Sequence, residues 1–325
     1  MRSLYQSKGS SGMTNRTLPA TTVLWTVVFL GAMTSLCQAA QLAHYKLGQV
    51  NINGASYTTP DFSGRGNALA LKGGMSDANL AAGKIGGALS FEGGTSTSNR
   101  DLVEAAESVA DFDRDYMQFT FAAWVKPIGI PSNDADVAYF AGKMGNSSNR
   151  GWQFGWTGTD ASNPTPHPRE LILSVFDNAS GGTDEELYSG ATSAITNDAW
   201  AHVAFTFSGI NEPSNFLRLY INGSKVNEIT SQTTNQLTLT KMTGANAMPL
   251  QIGNRGDQRA DSWRGLIDEV HIYDHALTDV EIGALVSPAG LGSDSPNGSV
   301  PEASTILLML TALSTTILCG RVRRA

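Results

Sequence analysis

The chain has 325 residues, 41% of them hydrophobic and 16% charged, with 34 Gly and 12 Pro. That much apolar side chain excludes wholesale disorder, and so few charges exclude a coiled coil or long-helix protein. The net charge is −7, but six of the 22 basic and one of the 29 acidic residues lie outside 41–300, which leaves 16 basic against 28 acidic groups there, a net −12 that argues against a nucleic-acid partner. Both cysteines, Cys37 and Cys319, sit in terminal apolar segments, so the span between has no disulfide framework and no thiolate zinc site.

In chain order, basic residues ending at Arg16 precede an apolar run from Val23 to Met33, and small residues follow to Ala39 and Ala40. This tripartite order predicts a secretory signal peptide over 1–40, too short in its apolar part to span a membrane comfortably. Met1 and Met13 are both possible starts. Cys37 invites a lipoprotein reading, but Leu36 before it is not small.

Residues 41–287 have no composition break and no repeat, and read as one domain. Alternation predicts strands: Phe119, Phe121, Ala123 and Val125 share a face, as do Ala201, Val203, Phe205 and Phe207, and Leu217, Leu219 and Ile221. The last run meets Asn222-Gly223, a hairpin-turn dipeptide. RELILSVF and MPLQIGN add two more strands. Thr278 and Glu281 form a capping box, which predicts one short helix at about 278–286. The expected fold class is all-β, a two-sheet antiparallel sandwich with one short helix near the C-terminal end.

Five blocks carry a family resemblance: DFSGRGNALAL with GKIGGALSFEG, FTFAAWVKP, DAWAHVAFTF with LRLYINGSKV, LQIGNRG, and WRGLIDEVHIYDHALTDVEI. In this order they resemble the LamG-like jelly-roll domain of the concanavalin A-like lectin/glucanase superfamily. The fold hosts lectins, adhesion modules and glycosidases, so it names no ligand by itself.

Beyond a Gly/Ser/Pro/Asn linker (288–299), residues 300–325 read Val300, Pro301, Glu302, an apolar stretch from Thr305 to Cys319, and Arg321, Arg323 and Arg324. A single-pass transmembrane anchor held by inside arginines is one reading. The order also closely resembles the PEP-CTERM sorting signal, with Ala303 where that family usually has a second Pro. The resemblance implies export, transient anchoring in the inner membrane of a Gram-negative bacterium, processing by an exosortase, and a place in the envelope or exopolysaccharide matrix.

Asp268 shares its parity with Leu266, Val270 and Ile272, so alternation predicts that it points inward. A buried carboxylate needs a cation or several donors, and oxygen ligands favour calcium. The LamG-like resemblance implies a structural Ca²⁺ near Asp61 and Asp268, with Asn67 and backbone carbonyls near Gly64 as further ligands. Leu47-Gly48 departs from that pattern where the family often has Asp. Alternatively, Asp268 caps turns or pairs with Arg264 or Arg255.

Trp152, Phe154 and Trp156 make a period-two aromatic row, either core or a sugar platform. The loop at 157–170 and the stretch with Asp184, Glu185 and Glu186 are rim candidates, with a solvated acidic loop as the alternative. Candidate ligand contacts are Trp156, Asp184 and Glu185. The histidines have no zinc-site spacing, and His202 and His271 sit in predicted strands, which suggests structural roles. No E-x-D-x-E string exists, and Asp111, Asp113 and Asp115 lie in a polar stretch. The expectation is an exported, non-enzymatic module that binds a carbohydrate or a surface protein. A glycan-active enzyme and a purely structural matrix protein are the alternatives.

Overall fold

Strand alternation, carried through the body, produces two sheets. A computed structural model describes residues 40–93, 100–106, 109, 111–112, 118–129, 137–144, 151–158, 167, 169–176, 184–190, 195–209, 216–230, 248–255 and 262–287. The expected signal peptide up to Ala39, the expected linker and the residues read as a sorting signal lie outside them. In chain order the strands are β1 (Gln41–Tyr45), β2 (Asn51–Asn53), β3 (Ser56–Thr59), β4 (Leu69–Lys72), β5 (Leu80–Ala82), β6 (Gly87–Glu92), β7 (Leu102–Glu104), β8 (Gln118–Pro127) and β9 (Val137–Met144). They continue as β10 (Gly151–Thr157), β11 (Leu171–Phe176), β12 (Asp184–Tyr188), β13 (Ala201–Ser208), β14 (Phe216–Ile221), β15 (Ser224–Thr230), β16 (Gln251–Ile252) and β17 (Arg264–Tyr273), followed by helix α1 (Asp279–Val286).

The first sheet runs β15-β14-β13-β8-β17-β6-β5, with β1 also beside β17, and the second runs β12-β11-β10-β9-β16-β7-β4-β3-β2. Their facing sides form the core. Phe205 on β13 sits at its centre, with ring centroids 5.2 Å from both Trp152 and Phe154 and 5.9 Å from Phe119. Burying each such ring stabilises the fold by roughly 1.5–3 kcal/mol. The aromatic row of β10 is therefore core. Asn222 and Gly223 take φ of +51° and +80° and close the β14–β15 hairpin as expected. The strand expected in MPLQIGN is only Gln251–Ile252.

On the helix, the Thr278 Oγ1 accepts the Glu281 N–H and the Glu281 carboxylate accepts the Thr278 N–H, so the predicted capping box forms. Its Ile282 and Leu285 pack with Leu277 on Ala122, Ala204, Tyr220 and Tyr273, on the outer side of the first sheet. Among the described residues no helix is long and apolar enough to cross a membrane.

Strand β17 departs from simple alternation. One edge pairs with β8 throughout, but the other pairs with β6 over Arg264–Ile267 and with β1 over Val270–Tyr273. At the changeover the register against β8 slips: Asp268 opposes Trp124, and His271 opposes Ala122. This is a β-bulge with one extra residue, and Glu269 within it has φ +46°. The bulge reverses the parity. Ile267, Val270 and Ile272 enter the core, while Asp268 shares the outer face with Trp124. Asp268 is thus buried, but not among Val270 and Ile272 as alternation predicts.

Candidate functional site

Among the described residues, polar side chains gather at two places in particular. The first is the seam left in the outer face of the first sheet where β17 changes partner. Asp268 is fully buried there, and its Oδ2 accepts the Ile85 N–H at 2.9 Å. Gly83 lies against the same oxygen. A Cβ at residue 83 would stand 2.5 Å from it, so this approach requires glycine. The other oxygen, Oδ1, has no partner. Burial, helped by the neighbouring Glu269 carboxylate, pushes the Asp268 pKa up to about 7, against the pull of the Ile85 N–H.

Glu269 turns instead to β1. Its Oε2 lies 2.6 Å from His44 Nε2 and 3.7 Å from His271 Nε2. His44 and His271 oppose each other on paired strands, with rings stacked at 4.2 Å. The Gln41 amide nitrogen meets His271 Nδ1 at 2.8 Å and the Tyr273 hydroxyl at 3.3 Å. In the next row His202 packs edge-on to Trp124 at 5.4 Å, and burial drives its pKa down to about 3. Burial also lowers the pKa of His271, assisted by the two other imidazoles. Five buried polar atoms in these adjacent rows have no partner: both His202 nitrogens, Trp124 Nε1, Asp268 Oδ1 and His271 Nε2. A seam so enclosed suits a small ion rather than a polymer.

The four residues expected to hold calcium are not drawn together by their described contacts. Asp61 closes its own turn: Oδ1 accepts the N–H groups of His44 and Ser63, and Oδ2 accepts the Ser63 hydroxyl and the Asn67 N–H. Those four donors satisfy the carboxylate without a cation. Gly64 lies in the same turn at φ +85°, and the Asn67 amide donates to Leu42 O and Asp111. Asp268 is held from the other side, by the segment between β5 and β6. Leu47, where the family often has Asp, is a fully buried core residue. Asp61, Gly64 and Asn67 thus share one turn, and no described contact joins Asp268 to them.

The second place is an open groove of about 450 Å³ beside β12 and β15, lined by His167, Glu170, Glu186, Tyr188, Asn227 and Ile229 among others. His167 stacks on Tyr188 at 4.1 Å, and Asn227 Nδ2 donates to the Tyr188 carbonyl at 2.7 Å. Glu170 is buried beneath, where its Oε2 accepts the Gly190 N–H and its Oε1 lies 3.3 Å from His167 Nδ1. Glu186 is exposed and accepts the Tyr188 hydroxyl at 3.1 Å. Burial first, then the Glu186 carboxylate, raises the Tyr188 pKa to about 12, so the hydroxyl stays protonated as a donor. An aromatic ring, a carboxylate and an amide at an open mouth can engage a hydroxyl-rich ligand.

Alternation on β12 sorts the acidic candidates. Leu187 packs in the core while also reaching the groove, Glu185 shares its parity but is not in the groove lining, and Glu186 and Tyr188 on the other face line the groove. The acidic side chain of β12 that lines the groove is therefore Glu186, one residue from the candidate Glu185. The Asp184 side chain lies outside the described residues. Trp156 is fully buried 6.2 Å from Trp263 and has no face to offer a ligand, which corrects its candidacy. Asp111 pairs with Arg65 at 2.8 Å, and Asp113 and Asp115 fall outside the described residues. Tyr188, His167 and Asn227 were missed because they come from distant parts of the sequence and meet only where the edges of the two sheets approach each other. Alternation through 184–188 was the one available signal.

The model of the Laminin_G_3 family, described as the concanavalin A-like lectin/glucanases superfamily, matches residues 97–283. No curated protein matches the chain. Among solved structures, the binding domain of Paraclostridial Mosquitocidal Protein 1 is similar at 17% identity and TM-score 0.53, over 76% of this chain and 52% of that one. The binding domain of botulinum neurotoxin serotype G is similar at 14% identity and TM-score 0.50, over 79% and 54%. The chain thus spans about half the length of these two toxin domains, and at such identities the likeness is one of fold. With more than half of its length matched by the family model, the chain belongs to the Laminin_G_3 family of the concanavalin A-like superfamily.

Proposed function

We propose that the protein is an exported, non-enzymatic binding module whose groove beside β12 takes a carbohydrate. The observation that carries this reading is the convergence of Tyr188, Glu186 and Asn227 at an open mouth on a concanavalin A-like sandwich. On a glycan array the purified protein is expected to bind a restricted set of intact glycans saturably. Tyr188→Ala and Glu186→Gln are each expected to weaken binding about tenfold or more, as truncation at the centre of a contact does. Silence across a broad array, or binding that ignores both substitutions, overturns the groove as the glycan site and favours a protein ligand or a structural matrix role.

A glycan-active enzyme is the second reading, because two carboxylates, Glu170 and Glu186, line the groove. Glu170 is tied to Gly190 and His167, which favours a supporting role. Cleaved sugars on the same array decide for the enzyme. A structural Ca²⁺ is a further proposal, supported by the partnerless Oδ1 of Asp268.

The cell envelope or exopolysaccharide matrix of a Gram-negative bacterium is the location this reading assigns, reached through the 1–40 leader and an exosortase acting on 300–325. Its support is the order of Val300, Pro301 and Glu302, the apolar stretch and the terminal arginines. Deleting 300–325 is expected to release the protein or change its sorting. Unchanged fractionation between membrane and medium removes the sorting signal from the reading.

A further inference from the structure

The pair formed by Glu269 and His44 leaves His271 unexplained. One imidazole is enough to partner the carboxylate, yet a second is stacked on the first, with its Nε2 buried, partnerless and 3.7 Å from the same oxygen. His44, Glu269 and His271 are all more than nine-tenths buried, and their ligand atoms lie within 4.8 Å of one another.

We propose that these three residues form a binding site for one divalent transition-metal ion, with zinc as its typical occupant, that ties the first strand of the sandwich to the last. Two imidazoles and one carboxylate select zinc or its neighbours over calcium or magnesium, which require mostly oxygen. Bonds of about 2.0–2.1 Å in a tetrahedron set ligand atoms about 3.3 Å apart. The gap of 2.6 Å from Glu269 to His44 must widen and the gap of 3.7 Å to His271 must close, each by less than about 1 Å, and the two stacked rings, 17° from parallel, must splay so that both Nε2 lone pairs meet at the ion.

The frame around the site suits an ion. His44 and His271 are fixed opposite each other by the β1–β17 pairing, and Glu269 is turned toward them by its left-handed backbone in the bulge. Such a conformation is uncommon for residues other than glycine and clusters at functional sites. Burial holds His271 neutral, the form that binds metal. Gln41 supplies the outer support. Turning its amide over would let Oε1 accept both His271 Nδ1–H and the Tyr273 hydroxyl, which frees the His271 Nε2 lone pair for the ion. The site shares no residue with the calcium set of Asp61, Gly64, Asn67 and Asp268.

The test uses the full chain, stripped with EDTA, desalted and titrated with Zn²⁺ and separately with Co²⁺. One zinc per chain is expected by elemental analysis, along with the visible absorption bands of four-coordinate cobalt. Losing an outer partner of a metal ligand costs about 10–100-fold in affinity, so Glu269→Gln and His271→Gln are each expected to lose at least about 100-fold. His275→Gln, outside the three ligands and outside the groove, is expected to keep wild-type affinity. Zinc-edge X-ray absorption on the wild type needs no variant to fold, and two imidazoles bound to the zinc are expected. Substoichiometric zinc in the wild type, zinc without imidazole ligands, or zinc lost in His275→Gln but kept in His271→Gln overturns the site.

Discussion

Asp268→Asn is expected to raise the melting temperature at pH 8 and to leave it nearly unchanged near pH 4. The acid has a folded pKa of about 7 against an ordinary 3.8, so the folded chain binds its proton more tightly than the unfolded chain does. Its stabilising proton is fully in place below the unfolded value and is lost as pH rises through the folded one. By pH 8 the cost is on the order of 4 kcal/mol, from about 1.4 kcal/mol per pKa unit. Asparagine keeps an acceptor for the Ile85 N–H and carries no charge. Calorimetry from pH 4 to pH 8 in EGTA measures the difference. A bound calcium predicts the reverse in millimolar Ca²⁺, where the substitution lowers the melting temperature at pH 8, and EGTA then brings the wild type down below the variant.

The second large effect belongs to His202. Its folded pKa of about 3 lies well below the ordinary 6.5, because a ring with no hydrogen-bond partner on either nitrogen is sealed from water. Below pH 6.5 the unfolded chain takes up a proton that the folded chain refuses. Stability is therefore present above the unfolded value and drains away as pH falls from 6.5 toward 3, by an amount on the order of 5 kcal/mol. His202→Phe keeps the contact with Trp124 and removes the titration, so its acid-unfolding midpoint is expected at lower pH. His271 titrates with the same sign, so part of the acid limb persists in the variant. Superimposable curves of melting temperature against pH for wild type and variant would show that His202 is protonated in the fold.

Most of the sandwich was legible in the residues. The alternation of β8, β13 and β14 follows from which side chains must leave water, and the Asn222-Gly223 turn and the Thr278–Glu281 box are local chemistry. The seam was not legible. Ile267 and Val270 both face the core although they are three residues apart, and that break in alternation was the only trace of the bulge. Glu269 and His44 are 225 positions apart, so no spacing rule could join them. The groove suffered from the same limit, since Tyr188 and Asn227 lie on strands of different sheets.

The pairing of Gln41 with Tyr273 spans nearly the whole domain. During synthesis the opening strand has no place in the sheet until the closing one has been made. Contacts of such long reach are formed late and slowly, because the entropy of closing the loop is lost before the contact is gained. A chain cut before β17, short of residue 264, keeps open edges on both β1 and β8, the condition that invites pairing with other copies. Strand β17 thus acts as a completion check: only a chain read through it covers the facing edges of β1 and β8.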